Sequence, residues 1–188
     1  MKNLSKKLIY FILPCARLFL ILFFDKKYLE GRYFYKNLNG YFWALKSIWM
    51  KNILRLGRPM PFPTALTCLI SNPSNIHFHP DDLNNFQSPG TYFQNFNGHI
   101  YIGRGTYIAP NVGIITANHE LTDLDAHTDG SDVIIGEKCW IGMNSVILPG
   151  VELGNGTVVA AGAVVTKSFS QGNIILAGVP ARVIKEIK

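Results

Sequence analysis

Five histidines occur in the chain, and one of them, His119, lies in a polar stretch that also carries Asp123, Asp125 and His127. A neutral imidazole, with an unperturbed pKa of about 6.5, can accept a proton from a hydroxyl group as that hydroxyl attacks an electrophile. A carboxylate from Asp123 or Asp125 would orient such a ring. The same residues are also typical of a solvated loop, so these residue types alone leave both interpretations open.

The residues on either side of this stretch repeat every six positions. Large apolar residues recur downstream at Ile135, Ile141, Ile147, Leu153, Val159 and Val165. Small or short residues follow the first five of them by four positions, at Cys139, Ser145, Val151, Thr157 and Ala163. A helix would scatter residues spaced by six over three directions, whereas a strand places all of them on one face. The repeat therefore predicts a β-solenoid that bends once per six residues.

The same period occurs upstream, at Ile102, Ile108 and Ile114. Ile135 follows Ile114 by 21 positions, which is not a multiple of six, so a loop interrupts the solenoid there. His119 belongs to this loop. Loops that leave a rigid scaffold often carry functional residues.

The repeat resembles the hexapeptide repeat of the left-handed β-helix acyltransferases, and the resemblance covers residues 74–188. It implies a mainly β fold for residues 61–188, a left-handed parallel β-helix in which three hexapeptides form one triangular coil. After Pro180 we expect a short helix that caps the open end of the solenoid. Residues 1–60 form the other predicted domain, a basic and aromatic-rich helical segment.

The run FQNFNGHIYIGRGTYIAPNVGIITANH resembles the corresponding run of galactoside and maltose O-acetyltransferases, and the chain also resembles polysaccharide-biosynthesis O-acetyltransferases. The resemblance implies that His119 is the catalytic base. It also implies that Asn95 holds the acceptor or the developing oxyanion. Contacts with the acceptor are expected from Asn118, Asp123, Asp125 and His127. Glu120 stands where the family usually has a proline.

The segments CWIG, AAGAVVTK and AGVPARVIKEI resemble the acetyl-CoA segments of the same family. Residues of these segments that are expected to bind the coenzyme are Trp140, Gly142, Met143, Ala161, Thr166, Lys167, Arg182 and Lys185. Met143 would supply a backbone contact where the family has a serine, and Ala161 would line the pantetheine slot. Arg182 and Lys185 would meet phosphate oxygens, although they are also typical of a basic helix end.

The same resemblance implies acetyl-CoA as co-substrate, no metal, and a homotrimer whose active sites form between neighbouring subunits. In such a trimer His119 of one chain would face Trp140 and Ala161 of another. The three cysteines are odd in number, far apart in the sequence and without metal-ligand spacing, which indicates free thiols in a reducing, cytoplasmic compartment.

The positive charge of the chain is concentrated in its first third. Residues 1–60 carry 12 Lys or Arg and two acids, a net charge of +10, whereas residues 61–188 carry six and ten, a net charge of −4. Over Tyr41 to Leu56, one helical face collects the apolar residues Tyr41, Phe42, Leu45, Ile48, Trp49, Ile53 and Leu56, with Lys46, Lys51 and Arg55 beside it. This layout predicts an interfacial helix on the inner face of the cytoplasmic membrane rather than a nucleic-acid surface.

Two alternatives concern this first third. Its helices can instead pack on the β-domain or on other subunits. Residues 8–24 are apolar, but at 17 residues they are at the lower limit for a bilayer span and contain Pro14 and Arg17.

The favoured function is O-acetylation of a sugar or lipid-linked glycan acceptor, a precursor of a cell-surface polysaccharide. Transfer to the nitrogen of an amino sugar would use the same coenzyme. Zinc chemistry of the β-helical carbonic anhydrases would need three converging histidines, and no pair in this chain has the spacing of that family. A scaffold without activity is the remaining class.

Overall fold

The computed structural model describes residues 13–187, which divide into two compact units between Thr64 and Ala65. The first unit is helical. Its elements are α1 (residues 13–20), a 3₁₀-helix (Lys26–Tyr28), α2 (Arg32–Tyr35), α3 (Asn39–Ser47) and a π-helix (Ile48–Ile53) that continues α3. The buried residues of this unit are mainly apolar. Among them, the ring of Tyr28 packs edge-on against that of Phe62, with centroids 4.9 Å apart.

The predicted apolar face over Tyr41 to Leu56 falls on α3, the π-helix and the residues just after it. Five of its members are exposed to solvent, and these form what we call the apolar face: Phe42, Leu45, Trp49, Ile53 and Leu56. Ile48, another predicted member of this face, is buried. The prediction was wrong for Lys51, which is buried and donates a hydrogen bond from Nζ to Oγ1 of Thr64. Its ammonium group therefore does not face solvent beside Lys46.

Of the apolar stretch at residues 8–24, residues 8–12 lie outside the described part of the chain. Within residues 13–187 no helix combines the length and the hydropathy needed to cross a bilayer.

The second unit is built from short strands arranged around a three-sided prism. In order they are β1 (Leu69–Ile70), β2 (Ile76–His77), β3 (Tyr92–Gln94), β4 (Ile100–Ile102), β5 (Tyr107–Ile108), β6 (Gly113–Ile115), β7 (Val133–Ile135), β8 (Trp140–Ile141), β9 (Val146–Ile147), β10 (Glu152–Leu153), β11 (Val158–Val159), β12 (Val164–Val165), β13 (Ile174–Gly178) and β14 (Ala181–Glu186). The first sheet has the order β1-β3-β6-β9-β12, the second β10-β7-β4-β2 and the third β14-β13-β11-β8-β5. All pairs except β13–β14 are parallel. Three parallel sheets that the chain visits in rotation fit the β-helix predicted from the repeat.

The six-residue period corresponds to one side of the prism per repeat. Ile141 pairs in register with Ile108 below and Val159 above, and the apolar residues of the repeat are buried inside the prism. The small residues four positions later, Cys139, Ser145, Val151, Thr157 and Ala163, are buried too, at the corners. A larger side chain in the cramped corner would displace the neighbouring coil.

The five successive corners from β7 to β12 each turn through a residue with positive φ. Such residues recur every six positions at Lys138, Asn144, Gly150, Gly156 and Gly162, with φ between 54° and 75°. Glycine and asparagine adopt this left-handed conformation at low cost, which explains their enrichment at these positions.

The third side of the first coil is not a strand. A 3₁₀-helical segment (Pro80–Gln87) takes its place. Asn85, which is fully buried, links this segment to the coil above: its Nδ2 donates to the carbonyl of Thr106 and its Oδ1 accepts from the N–H of Ile108, both at 2.9 Å. The side-chain amide thus takes the place of the backbone hydrogen bonds that a strand would form with β5.

The predicted capping helix after Pro180 was wrong. Residues Ala181–Glu186 form β14, which folds back antiparallel onto β13. Strand β14 pairs with β13 along the edge of the third sheet, and this gives the backbone groups of β13 hydrogen bonds that a helix would not give.

Candidate active site

Residues 116–132 leave the prism at the corner between the first and second sheets, which we call the loop corner. As predicted, they interrupt the repeat between β6 and β7. Inside this loop the chain forms a small hairpin in which Thr128 donates its N–H to the carbonyl of Asn118 at 2.8 Å, and the backbones of His119 and His127 form an antiparallel bridge. The Oγ1 of Thr128 also accepts from the N–H of Asn118 at 3.0 Å. The hairpin therefore holds His119 in ordered backbone although its side chain is exposed.

The ring of His119 is oriented by a backbone carbonyl. Its Nδ1 lies 2.7 Å from the carbonyl oxygen of Leu124. Because a carbonyl oxygen only accepts, Nδ1 carries the hydrogen, and in the neutral ring the lone pair is on Nε2. The ring is thereby prepared to accept a proton at Nε2.

Neither predicted carboxylate occupies that position. Asp123 acts on the turn instead: its Oδ1 accepts from the N–H of Asp125 at 3.0 Å, and its carbonyl accepts from the N–H of Ala126 at 3.1 Å. This turn places the carbonyl of Leu124 against His119. Asp125 and Asn118 are exposed on the same hairpin, where their predicted contacts with the acceptor stay predictions.

His127 packs directly against the candidate base. The two imidazole rings have centroids 4.3 Å apart, and the ring of Phe96 meets that of His127 edge-on at 5.0 Å. Phe96 comes from the coil below the loop. The three rings form a cluster in which His127 contacts His119 directly, so we infer a supporting role for His127.

Sequence reasoning missed Gln94, the last residue of β3. Its Oε1 accepts from the N–H groups of Thr116 and Ala117, each at 3.0 Å, and its Nε2 donates to the carbonyl of Ala117 at 3.0 Å. Three hydrogen bonds thus fix the two residues through which the loop leaves the prism. The position directly before Asn95 in the quoted run was the available signal, but only the stacking of β3 under β6 shows what the amide reaches.

Asn95 is fully buried. Its Oδ1 accepts from the N–H of Asn72 at 2.9 Å and its Nδ2 donates to the carbonyl of the same residue at 2.7 Å. The side-chain amide therefore bridges two stacked coils at the loop corner. This pairing favours a structural role over the predicted catalytic one.

Four of the predicted coenzyme residues lie close together elsewhere. Trp140 is exposed on β8 of the third sheet, and Gly142 and Met143 follow at the corner between the third and first sheets, the Met143 corner. Ala161 stands one coil above Met143, since the carbonyl of Met143 accepts from the N–H of Gly162 at 2.9 Å. Gly142 is buried, and a Cβ there would lie 2.6 Å from the carbonyl oxygen of Val159. Because Gly142 has no side chain, its coil can approach the coil that contains Val159.

The remaining predicted coenzyme residues lie on two other parts of the prism. Arg182 pairs with Ala177 and Lys185 with Ile175, so both lie on β14 at the edge of the third sheet, and both are exposed. Thr166 and Lys167 follow β12 of the first sheet, at the loop corner.

The histidine and the Trp140–Met143–Ala161 group thus occupy different corners of one prism. The first sheet separates them, because the loop follows β6 and Met143 precedes β9. A single chain therefore does not place His119 beside this group.

Residues 132–167 match the family model described as bacterial transferase hexapeptide (six repeats). The chain is 36% identical over 118 residues to the galactoside O-acetyltransferase of Escherichia coli, covering 61% of this chain and 55% of that protein. It is 40% identical over 99 residues to a putative lipopolysaccharide biosynthesis O-acetyl transferase of the same organism, covering 46% and 50%. A solved galactoside acetyltransferase in complex with coenzyme A superposes with a TM-score of 0.49 at 29% identity, covering 65% of this chain and 63% of that one.

The chain spans about half the length of the curated relatives it matches. Within that span the resemblance to hexapeptide-repeat acyltransferases is confirmed by both the repeat and the relatives.

Proposed function

We propose, from the hexapeptide repeat that this chain shares with bacterial transferases, that the protein transfers the acetyl group of acetyl-CoA to a hydroxyl group of a sugar. The observation that supports this most directly is the hydrogen bond from Nδ1 of His119 to the carbonyl of Leu124 at 2.7 Å. It leaves the Nε2 lone pair of an exposed imidazole available on a loop of the kind of scaffold that these transferases use.

The proposed reaction is direct transfer. The sugar hydroxyl attacks the carbonyl carbon of the thioester while Nε2 of His119 takes the hydroxyl proton. The carbon–sulfur bond of the resulting tetrahedral intermediate then breaks, the ester forms, and the imidazolium returns its proton to the departing thiolate. The hydrogen bond to Leu124 also stabilises the imidazolium, because Nδ1–H then carries part of the positive charge.

The geometry supports a site that two chains build together. In the proposed homotrimer, the loop corner of one chain faces the Met143 corner of its neighbour. His119, Thr166 and Lys167 would then come from one chain, and Trp140, Met143, Ala161 and Arg182 from the other. The loop exposes Leu121 and Leu124, which are 95% and 71% accessible, and leucines so exposed favour contact with another subunit.

The coenzyme would lie in the cleft between the loop corner of one chain and the Met143 corner of its neighbour. Ala161 leaves room there for a slender pantetheine chain, and exposed Trp140 offers an apolar wall. Exposed Arg182 and Lys185 supply positive charge for phosphate groups.

The acceptor is proposed to be a precursor of a cell-surface polysaccharide at the inner face of the cytoplasmic membrane. The apolar face of the first unit, with Phe42 67% exposed and neighbours of the same kind, would lie in the lipid interface, flanked by exposed Lys46. Peripheral attachment there brings the enzyme to acceptors that are assembled at the membrane.

The activity is tested with the full chain, acetyl-CoA and a panel of sugars that includes amino sugars, with mass spectrometry of the products. We expect ester products, and a fall in kcat of about 10²–10⁴-fold for His119→Ala. Thr122→Ala, in the same loop, is the matched control and should keep the wild-type kcat. Amide products only would replace the O-transfer assignment by N-transfer, and unchanged turnover of His119→Ala would remove the base.

Membrane attachment is tested separately by sedimentation with vesicles of phosphatidylglycerol. The double variant Phe42→Ser/Trp49→Ser should stay in the supernatant, whereas Tyr92→Ser, which changes an exposed aromatic residue of the β-helix, should sediment as the wild type does. Equal sedimentation of all three proteins would contradict the proposed attachment.

A further inference from the structure

The first unit contains a cavity of about 520 Å³, a volume in the range of small-molecule sites. Its lining is mostly apolar and aromatic. The described lining residues that matter for its chemistry are Leu18, Ile21, Phe34, Tyr35, Arg17 and Lys26. The mechanism proposed above uses none of them.

Two cations stand at this apolar cavity. The guanidinium of Arg17 lies 5.2 Å from the ring centre of Tyr35 and donates to Oε1 of Glu30 at 3.0 Å, so part of its charge is compensated. The side chain of Lys26 is exposed and adds a second positive charge. Apolar walls with excess positive charge match an amphiphile that has an apolar tail and an anionic head.

The surface beside the cavity is also apolar. Leu18 lines the cavity yet is 68% exposed, and Leu22, one turn further along, is 77% exposed. Apolar side chains therefore continue from the lining of the cavity to the exposed surface.

We propose that this cavity binds one acyl chain of an anionic membrane phospholipid, with the chain against Ile21 and Phe34 and the phosphate near Lys26 and Arg17. The proposal rests on the proposed membrane attachment, and the chain in the cavity would hold the unit at the bilayer more firmly than interfacial contact alone. It does not depend on acetyl transfer.

The cavity is tested with lysophosphatidylglycerol, a single-chain anionic lipid, below its micelle concentration. Binding to the full chain is measured by calorimetry and by native mass spectrometry. Ile21→Trp fills the cavity and should weaken binding at least tenfold, whereas Leu22→Trp adds the same bulk to a neighbouring residue that does not line the cavity and should bind as the wild type does. Equal affinities for both variants would overturn the proposal.

The headgroup is tested by charge reversal. Lys26→Glu should weaken the binding of lysophosphatidylglycerol severalfold, while Lys36→Glu, which changes an exposed lysine outside the lining, should not. Lysophosphatidylcholine should bind the wild type more weakly, and glycerol phosphate, which has no tail, should not bind measurably. Comparable binding of glycerol phosphate would show a free-phosphate site and would overturn the assignment to a lipid.

The same variants separate this inference from membrane attachment. The Phe42→Ser/Trp49→Ser variant should lose vesicle sedimentation but keep the affinity for lysophosphatidylglycerol in solution. If it loses both equally, the lipid binds at the apolar face and the cavity assignment is wrong. In another outcome, the wild type binds the single-chain lipid, with weaker binding by Ile21→Trp, and yet does not sediment with vesicles. That result would contradict membrane attachment but support the lipid site in the cavity.

Discussion

Nδ1 of His119 lies 2.7 Å from the carbonyl oxygen of Leu124, five residues further along the same loop. The proposed base and the carbonyl that orients it therefore belong to one short turn, and no acidic side chain lies between these two atoms. Asp123 determines the shape of that turn through its hydrogen bond to the N–H of Asp125.

This hydrogen bond predicts that two substitutions of Asp123 differ in their effect on kcat. Asp123→Ala removes the acceptor that closes the turn, so the carbonyl of Leu124 loses its position and kcat should fall about tenfold to a hundredfold. Asp123→Asn keeps an acceptor oxygen and should retain most of the wild-type kcat. Steady-state kinetics with each variant, and with Asp129→Ala as an exposed control in the same loop, measure the effect. Equal losses for Asp123→Asn and Asp123→Ala would show instead that the negative charge of Asp123 acts on the imidazole.

Gln94 should affect catalysis although it is not expected to touch either substrate. Gln94→Ala removes three hydrogen bonds at the base of the loop, so we expect kcat to fall about tenfold or more while the KM for acetyl-CoA stays near its wild-type value. Gln94→Glu keeps the acceptor for the two N–H groups and should lie between Gln94→Ala and the wild type.

The free energy of unfolding of Gln94→Ala should fall by about 1–3 kcal/mol, because each of the three hydrogen bonds contributes about 1 kcal/mol net. Gln87→Ala, on the 3₁₀-helical side of the first coil, is the matched control. A KM for acetyl-CoA that rises while kcat is unchanged would contradict a positioning role.

Leu121 should contribute to assembly. Leu121→Asp places a charge where we propose that the loop meets the neighbouring chain, so a trimer should dissociate at protein concentrations at which the wild type stays assembled. Sedimentation velocity measures the mass, and Thr122→Asp introduces the same charge beside it as a control. A Leu121→Asp monomer with full acetyltransferase activity would show that one chain suffices for the site.

Two adjacent residues of β8 should separate stability from coenzyme binding. Ile141 is fully buried inside the prism, so Ile141→Ala should lower the free energy of unfolding by about 2–5 kcal/mol. Trp140 is 58% exposed, so Trp140→Ala should leave the melting temperature nearly unchanged and raise the KM for acetyl-CoA. Thermal unfolding and steady-state kinetics of both variants test whether Ile141 lies inside the prism and Trp140 on its surface. Equal destabilisation by the two substitutions would contradict the register of β8.

The sequence predicted the β-helix well because its signal is local and repeated. Ile141, Ile147 and Val159 obey a period that only a regularly bent strand satisfies, and every repeat adds independent support. The error after Pro180 arose where the repeat ends: residues 181–186 have no period of their own, and the pairing partner Ile174–Gly178 that makes them a strand is recognisable only in the fold.

The site was predictable only in part. His119 could be singled out because the run that ends with it resembles the corresponding run of galactoside and maltose O-acetyltransferases. The group that orients its ring could not be predicted. Every residue has a carbonyl oxygen, and only the geometry of the turn brings that of Leu124 to Nδ1 of His119. Burial of Asn95 against Asn72, 23 residues earlier, likewise depends on which coils stack.

The sequence by itself determined the prism, the position of the loop and the residue types available for acyl transfer, because these follow from periodicity and from the chemistry of single side chains. Only the tertiary structure decided which atoms meet. Stacking of coils brings Gln94 under Thr116 and separates His119 from Met143 at different corners, and such contacts depend on distances in space that no spacing along the chain encodes.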